Sequence, residues 1–292
     1  MRQGSPEATT AAVLIHGFGA NLRHWRHNIP VLAEDVEVFA LDLLGFGASE
    51  KPPSQLEGER PIASAVRYGF SLWADQVADF VVTHVCQRDP HRPFHIIGNS
   101  IGGVVALAAT NVLFSRGLPP AQVVLIDCAQ RTLDERRVKE LPLTQRLTRP
   151  ILKRIIRERW LTAALFRVLA RPAFIRQVLD IAYPSGANVD DELLALLYQP
   201  TMDSGAEESF RGFVNLFADV LAPDFLADLK TVPVRMIWGE SDPWESPEEA
   251  RKWARDFERI QELRVLAGLG HCPHDEAPEQ VNPILLEWLK PS

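Results

Sequence analysis

The sequence predicts an α/β fold: a mostly parallel sheet flanked by helices, with one helical cap inserted into it. Three observations predict this. Short apolar runs rich in β-branched residues recur along the chain, and most are continuous rather than alternating, as in strands buried on both faces of a parallel sheet. Helical patterns lie between several of these runs, the alternation that right-handed βαβ crossovers require. The segment 131–222 then breaks the rhythm with helix-like runs and no strong strand. With 46% hydrophobic and 24% charged residues in a chain of 292, there is material for one large domain or two small ones.

In chain order, strands are expected at 11–15 (AAVLI) and 36–41 (VEVFAL), followed by a long polar surface loop at 50–64. Residues 72–86 place Trp73, Val77, Phe80, Val81 and Val85 at helical spacing, with Ser71 as N-cap and Asp75 in the first turn. Strands are expected again at 94–97 (FHII), 122–126 (QVVLI), 232–237 (VPVRMI) and 263–266 (LRVL). Between the last two pairs, helix-like runs at 151–170 and 190–198 are punctuated by Pro142, Pro150, Pro172, Pro184 and Pro200. The expected division is a core formed by 1–130 and 223–292, and a helical cap at 131–222.

A net charge of −7 argues against the basic surface of a nucleic-acid binder, so no nucleic-acid partner is expected. Yet residues 131–176 hold thirteen Lys or Arg against four Asp or Glu. Solvated helix faces account for such an excess, and so does a basic amphipathic surface resting on an anionic membrane or partner. Cys86, Cys128 and Cys272 are odd in number and far apart, which fits a reducing compartment. No secretory signal and no apolar stretch near ~18 residues is visible, and a cytoplasmic location is expected.

The chemistry is signalled at Gly98-Asn99-Ser100-Ile101-Gly102, a G-x-S-x-G motif with a strand before it and a helix after it. Such a turn forces the central residue into a strained conformation, and Gly98 and Gly102 remove side chains that would clash. A serine hydroxyl becomes a nucleophile only when a base takes its proton and a third group orients that base. Asp242 follows the run 232–237, and His271 follows the run 263–266, in the order Ser…Asp…His and on the same sheet edge as Ser100. Asp242 also reads as a turn or helix-capping residue, and Asp127, just past the strand 122–126, is a competing acid. His16-Gly17-Phe18-Gly19 after the first strand matches an oxyanion loop, so the backbone N–H groups of Phe18 and Ile101 are expected to face one site. Gly17, Asn99 and Trp244 are assigned to the substrate site. His271, Cys272, His274, Asp275 and Glu276 crowd one loop, but with no second ligand cluster neither a metal nor another cofactor is expected.

HGFG after the first strand, Leu41-Asp42-Leu43-Leu44-Gly45-Phe46-Gly47-Ala48-Ser49 after the second, GNSIGG, WGESDPW and GHCPHDEAPE occur in one order. In this the chain resembles the α/β-hydrolase superfamily over nearly its whole length. It departs from that pattern at the start, where the superfamily usually has two strands before the HGxG loop. Within the superfamily, GNSIGG, WGESDPWE and GHCPHDEAPEQVNP resemble the pheophytinase and chlorophyll dephytylase group, which hydrolyses the phytyl ester of chlorophyll-type pigments. The resemblance implies Ser100 as nucleophile, His271 as base and Asp242 as its orienter. It also implies a hydrophobic small-molecule ester as substrate and a cap suited to a peripheral membrane or pigment–protein contact. Two rival readings remain open. Hydrolases of carbon–carbon bonds share the GNSxGG elbow and triad, and a catalytically silent binding protein of this fold would typically lack a triad member. Epoxide hydrolases and haloalkane dehalogenases need a carboxylate where this chain has Ser100.

Overall fold

The computed structural model describes residues 1–87, 89–229 and 231–290, so residue 88 of the expected segment 1–130, and residues 230, 291 and 292 of 223–292, lie outside the described residues. Seven strands, β1 (Arg2–Gln3), β2 (Ala11–Ile15), β3 (Glu37–Leu41), β4 (Phe94–Asn99), β5 (Gln122–Ile126), β6 (Val234–Gly239) and β7 (Ile260–Leu266), form one sheet in the order β1-β3-β2-β4-β5-β6-β7. Every pairing is parallel except β1 with β3. Only the two-residue β1 precedes the first long strand.

The continuous apolar runs are explained by helices on both faces. Every residue of β2, β4 and β5 is buried. Alternate residues of one strand enter different cores: Val13 and Ile15 pack with Trp73 and Val104, while Ala12 and Leu14 pack with Trp25 and Leu285. The first face is covered by helices α2 (Phe70–Phe80) and α3 (Ile101–Ser115), and the second by α1 (Ile29–Leu32) near the start of the chain and by a helix at its end.

The helix expected over 72–86 begins earlier than its sequence signals suggested. Phe70 is its first residue, and the Phe70 N–H is accepted not by Ser71 but by Asp219 Oδ2 at 3.0 Å. Ser71 is exposed and caps nothing, because the capping carboxylate comes from a distant part of the chain.

Between β5 and β6 the described residues form no strand. They form a 3₁₀ turn at Glu135–Glu140 and helices α4 (Leu143–Arg157), α5 (Arg159–Leu169), α6 (Pro172–Ala182), α7 (Asp191–Tyr198), α8 (Ala206–Val214) and α9 (Ala222–Asp228). The single run expected at 151–170 is two helices, broken where Glu158 turns to extended geometry. Pro150 lies inside α4 rather than bounding it; it is exposed, so the carbonyl left without a donor one turn earlier faces water. The loop 50–64 is only partly a surface loop. Ser54 is buried beneath α8, donating N–H and O–H to Glu208 Oε2 at 2.9 and 2.6 Å and accepting from Arg211 Nη1 at 2.9 Å. After β6 come α10 (Pro247–Asp256), then beyond β7 the short α11 (Pro273–Glu276) and α12 (Pro278–Leu289). Among the described residues no helix is long and apolar enough to cross a membrane.

Candidate active site

Ser100 sits between β4 and α3 with φ 56° and ψ −123°, a left-handed conformation that costs a non-glycine residue about 1–3 kcal/mol. The surroundings enforce it. Its N–H donates to Ile126 O at 2.9 Å, and its carbonyl accepts from Gly103 N and Ala129 N, both at 3.0 Å. A Cβ on Gly98 would overlap the Gly102 carbonyl, and one on Gly102 would overlap the carbonyls of Ile15 and His16. The elbow therefore closes only with glycine at both positions.

β6 and β7 end beside this turn. His271 Nδ1 lies 2.8 Å from Asp242 Oδ2, with the carboxylate fully buried. The other oxygen, Oδ1, accepts from Trp244 N at 2.8 Å and Glu245 N at 3.1 Å, so Asp242 is a turn-capping residue and the histidine's partner at once. Burial alone would raise the Asp242 pKa, but the hydrogen bond and charge of His271, with the Trp244 amide, outweigh it and hold the carboxyl below its ordinary value. A proton held on Nδ1 leaves Nε2 free to act as a base. Among the described residues the Ser100 hydroxyl makes no side-chain hydrogen bond; hydrogen bonds from a serine nucleophile to its base commonly tighten only with substrate bound.

Asp127, the competing acid, is buried directly behind Asp242. Its Oδ1 accepts from Gly239 N at 2.9 Å, and burial together with the neighbouring Asp242 carboxylate pushes its carboxyl well above the ordinary range. It makes no hydrogen bond to His271. Burial also pushes Glu245 up to about 7.

On the opposite side, the HGFG loop follows β2. Phe18 N and Ile101 N donate to no acceptor among the described residues; the latter is the first N–H of α3, which has no partner within the helix. His16 fixes the loop. Its Nε2 accepts from Leu43 N at 3.0 Å, so the proton sits on Nδ1 and is donated to Gly17 O at 2.8 Å, and burial lowers its pKa. A Cβ on Gly17 would stand 3.0 Å from Asn99 Oδ1 and 3.2 Å from Ser100 Cβ, so glycine lets the loop close on the elbow. The Phe18 ring stacks on Phe213 at 3.9 Å. Phe18, Phe46, Phe166, Leu197, Pro200 and Phe210 line an apolar cleft beside the loop.

Of the residues assigned to the substrate site, Trp244 is partly exposed and meets the His271 ring edge-on at 4.9 Å. Asn99 is placed differently from expectation. It is buried, and its amide donates to Ile126 O at 3.2 Å and His271 O at 3.1 Å, so it is a strut joining the elbow to the histidine loop. The rest of the GHCPHDE stretch braces that loop: Glu276 Oε2 accepts from Gly270 N at 2.7 Å, and Asp275 accepts from Arg26 Nε at 3.1 Å and Tyr183 O–H at 3.0 Å. Tyr183 also meets His24 Nε2 at 2.7 Å, and burial lowers the His24 pKa to about 4. His16, Arg26, Tyr183, Asp275 and Glu276 were not given these bracing roles from sequence; His16 in the HGxG motif, and Asp275 and Glu276 in GHCPHDEAPE, carried a signal, while Arg26 and Tyr183 carried none.

The model of the alpha/beta hydrolase family matches residues 12–284. A chloroplastic pheophytinase of Arabidopsis thaliana is 26% identical over 313 residues, covering 96% of this chain. This chain spans 61% of that relative's length. Among solved structures, a thermophilic esterase from Thermogutta terrifontis matches with a TM-score of 0.69 at 22% identity, covering 99% of this chain and 91% of the other. The meta-cleavage product hydrolase of Pseudomonas fluorescens IP01 matches at 0.67 and 21%, covering 99% and 92%. Both structural likenesses concern the fold.

Proposed function

The chain belongs to the alpha/beta hydrolase family, and we propose that within it this protein is a serine hydrolase that cleaves a carboxylic ester of a hydrophobic small molecule through an acyl-enzyme. The observation that carries the reading is the His271–Asp242 pair at 2.8 Å beside a serine held in a strained elbow, with two undonated amides close by. In this mechanism His271 Nε2 takes the Ser100 proton as the hydroxyl attacks the ester carbonyl. The Phe18 and Ile101 amides hold the oxyanion of the tetrahedral intermediate. Collapse expels the alcohol, protonated by the imidazolium, and water activated by the same imidazole then releases the acid. The apolar cleft beside Phe18 supports a hydrophobic acyl or alcohol group, and the likeness to a pheophytinase makes the phytyl ester of a chlorophyll-type pigment the first such substrate to test.

A fluorophosphonate probe tests the chemistry: the wild-type chain is expected to be labelled, and Ser100→Ala to remove the labelling. Failure to label the wild type would favour the silent binding protein. A panel of short p-nitrophenyl esters, long-chain esters and phytylated pigment then tests the substrate class. The second reading, a carbon–carbon bond hydrolase, is favoured by the GNSIGG elbow and the fold likeness to a meta-cleavage product hydrolase. Faster turnover of a vinylogous diketo acid than of a long-chain ester would establish it.

A further inference from the structure

Helix α4 is turned inside out. Its inner face carries Arg149, Lys153 and Ile156, with the Arg149 guanidinium and the Lys153 ammonium over the Phe217 ring at 4.8 and 5.0 Å. Its outer face carries the apolar residues: Leu143 is 71% exposed, Leu147 77%, Ile151 65% and Ile155 42%. Spacing of four residues stacks these side chains on one side of the helix. Just past the break at Glu158, Trp160 is 70% exposed. Single exposed apolar residues are ordinary, but a continuous stripe of them marks an interaction surface.

The cations around the stripe divide into two groups. Arg136, Arg137, Arg159 and Arg176 pair with Asp224, Glu140, Glu208 and Asp191. Arg146 and Arg154 on α4, and Arg167 and Arg171 just beyond, are exposed and form no ion pair among the described residues. Arg146 and Arg154 each stand one position before a residue of the stripe, Leu147 and Ile155, so at ~100° per residue each flanks its neighbour on the same side. Residues 131–176 carry nine more positive than negative charges in a chain of net −7, so the remainder carries −16. An anionic surface therefore attracts this face and repels the rest of the molecule, which orients it.

We propose that the outer face of α4, with Trp160, docks on a lipid bilayer that contains anionic lipids. The leucines and isoleucines enter the boundary between headgroups and acyl chains, while Arg146 and Arg154 extend their charged ends to lipid phosphates. A second copy of the chain fits this face less well, because two-fold contact would set the same arginines against each other. The adjoining helix α5 sends Phe166 into the apolar cleft, so the docked face and the cleft share one structural unit. The docking does not depend on the catalytic reading.

Flotation of the full chain with vesicles tests this, using phosphatidylcholine alone and a 7:3 mixture of phosphatidylcholine and phosphatidylglycerol. The protein is expected to float with the mixed vesicles, not with phosphatidylcholine alone, and to release as salt is raised. Leu147→Ser with Ile151→Ser is expected to lower partitioning at least about tenfold. Arg146→Gln with Arg154→Gln is expected to lower it roughly tenfold at low salt. The arginine side chains make no hydrogen bond among the described residues, so that pair remains decisive should the serine pair lower the melting temperature. Ser100→Ala is expected to float as the wild type does, whatever becomes of the hydrolase reading. Four results would overturn the proposal: no flotation with mixed vesicles, equal flotation with both lipid compositions, binding unchanged in both variants, or a wild-type dimer in sedimentation velocity that Leu147→Ser with Ile151→Ser dissociates.

Discussion

Two buried carboxyls, Asp127 and Asp242, stand behind one imidazole, and they are not equivalent. Only Asp242 reaches His271 Nδ1, and its charge is held there by that hydrogen bond. Burial and the neighbouring carboxylate push the Asp127 carboxyl well above the ordinary range, and an amide of the same shape can replace it while still accepting from Gly239 N. Asp242→Asn should therefore reduce kcat on the order of 10³–10⁴-fold, and Asp127→Asn less than about tenfold, measured on any ester the enzyme turns over. The opposite ranking would mean that the acid has been misassigned. Ser100→Ala and His271→Ala should each cost on the order of 10³-fold or more, and the double variant little beyond either, since the two act as a unit. That Ser100, Asp242 and His271 lie at one edge of the sheet was readable from sequence, because each follows a strand-like run and parallel strands place those ends together. The strut that Asn99 makes was not legible, for an equally physical reason. Alternation along β4 says which residues leave the strand on the same side, but not that two carbonyls, 27 and 172 positions away, wait for that amide.

The elements were legible wherever burial writes a pattern into the chain. All six expected strands occur within three residues of their expected ends, because the central sheet is sealed on both faces and most side chains that fill it are apolar. The start of α2 was not legible, because its capping group comes from Asp219, 149 residues away from Phe70. Asp219→Ala should remove that contact and cost about 1 kcal/mol, lowering the melting temperature by roughly 2 °C in a chain of this size. Ser71→Ala should leave it unchanged. Equal effects from the two substitutions would restore Ser71 as the cap. The division of 151–170 into α4 and α5 was hidden because the helical period continues across Glu158 with only a local change of ψ.

For the molecule as a whole, acid stability should depend on histidines sealed in their neutral form. Burial and the nearby Arg235 charge lower the His95 pKa from 6.5 to about 4. The unfolded chain therefore takes up this proton first as pH falls. The contribution is fully present above pH 6.5 and is lost progressively down to about pH 4, amounting to at most about 3 kcal/mol. His95→Asn, whatever it costs at neutral pH, should flatten the fall in stability across that window in denaturant titrations; an unchanged slope would show that His95 is not responsible. At this scale the charge asymmetry was visible in the sequence, whereas the outward apolar stripe of α4 was not, because periodicity reveals that a helix has two faces without saying which one is turned inward. The Asp219 contact has one more consequence. Exchanging the stretch 131–222 for that of a relative would not be a neutral transplant, since the scaffold lends out a helix end that only the native graft knows how to finish; a chimera should regain its lost firmness when a carboxylate is restored opposite Phe70.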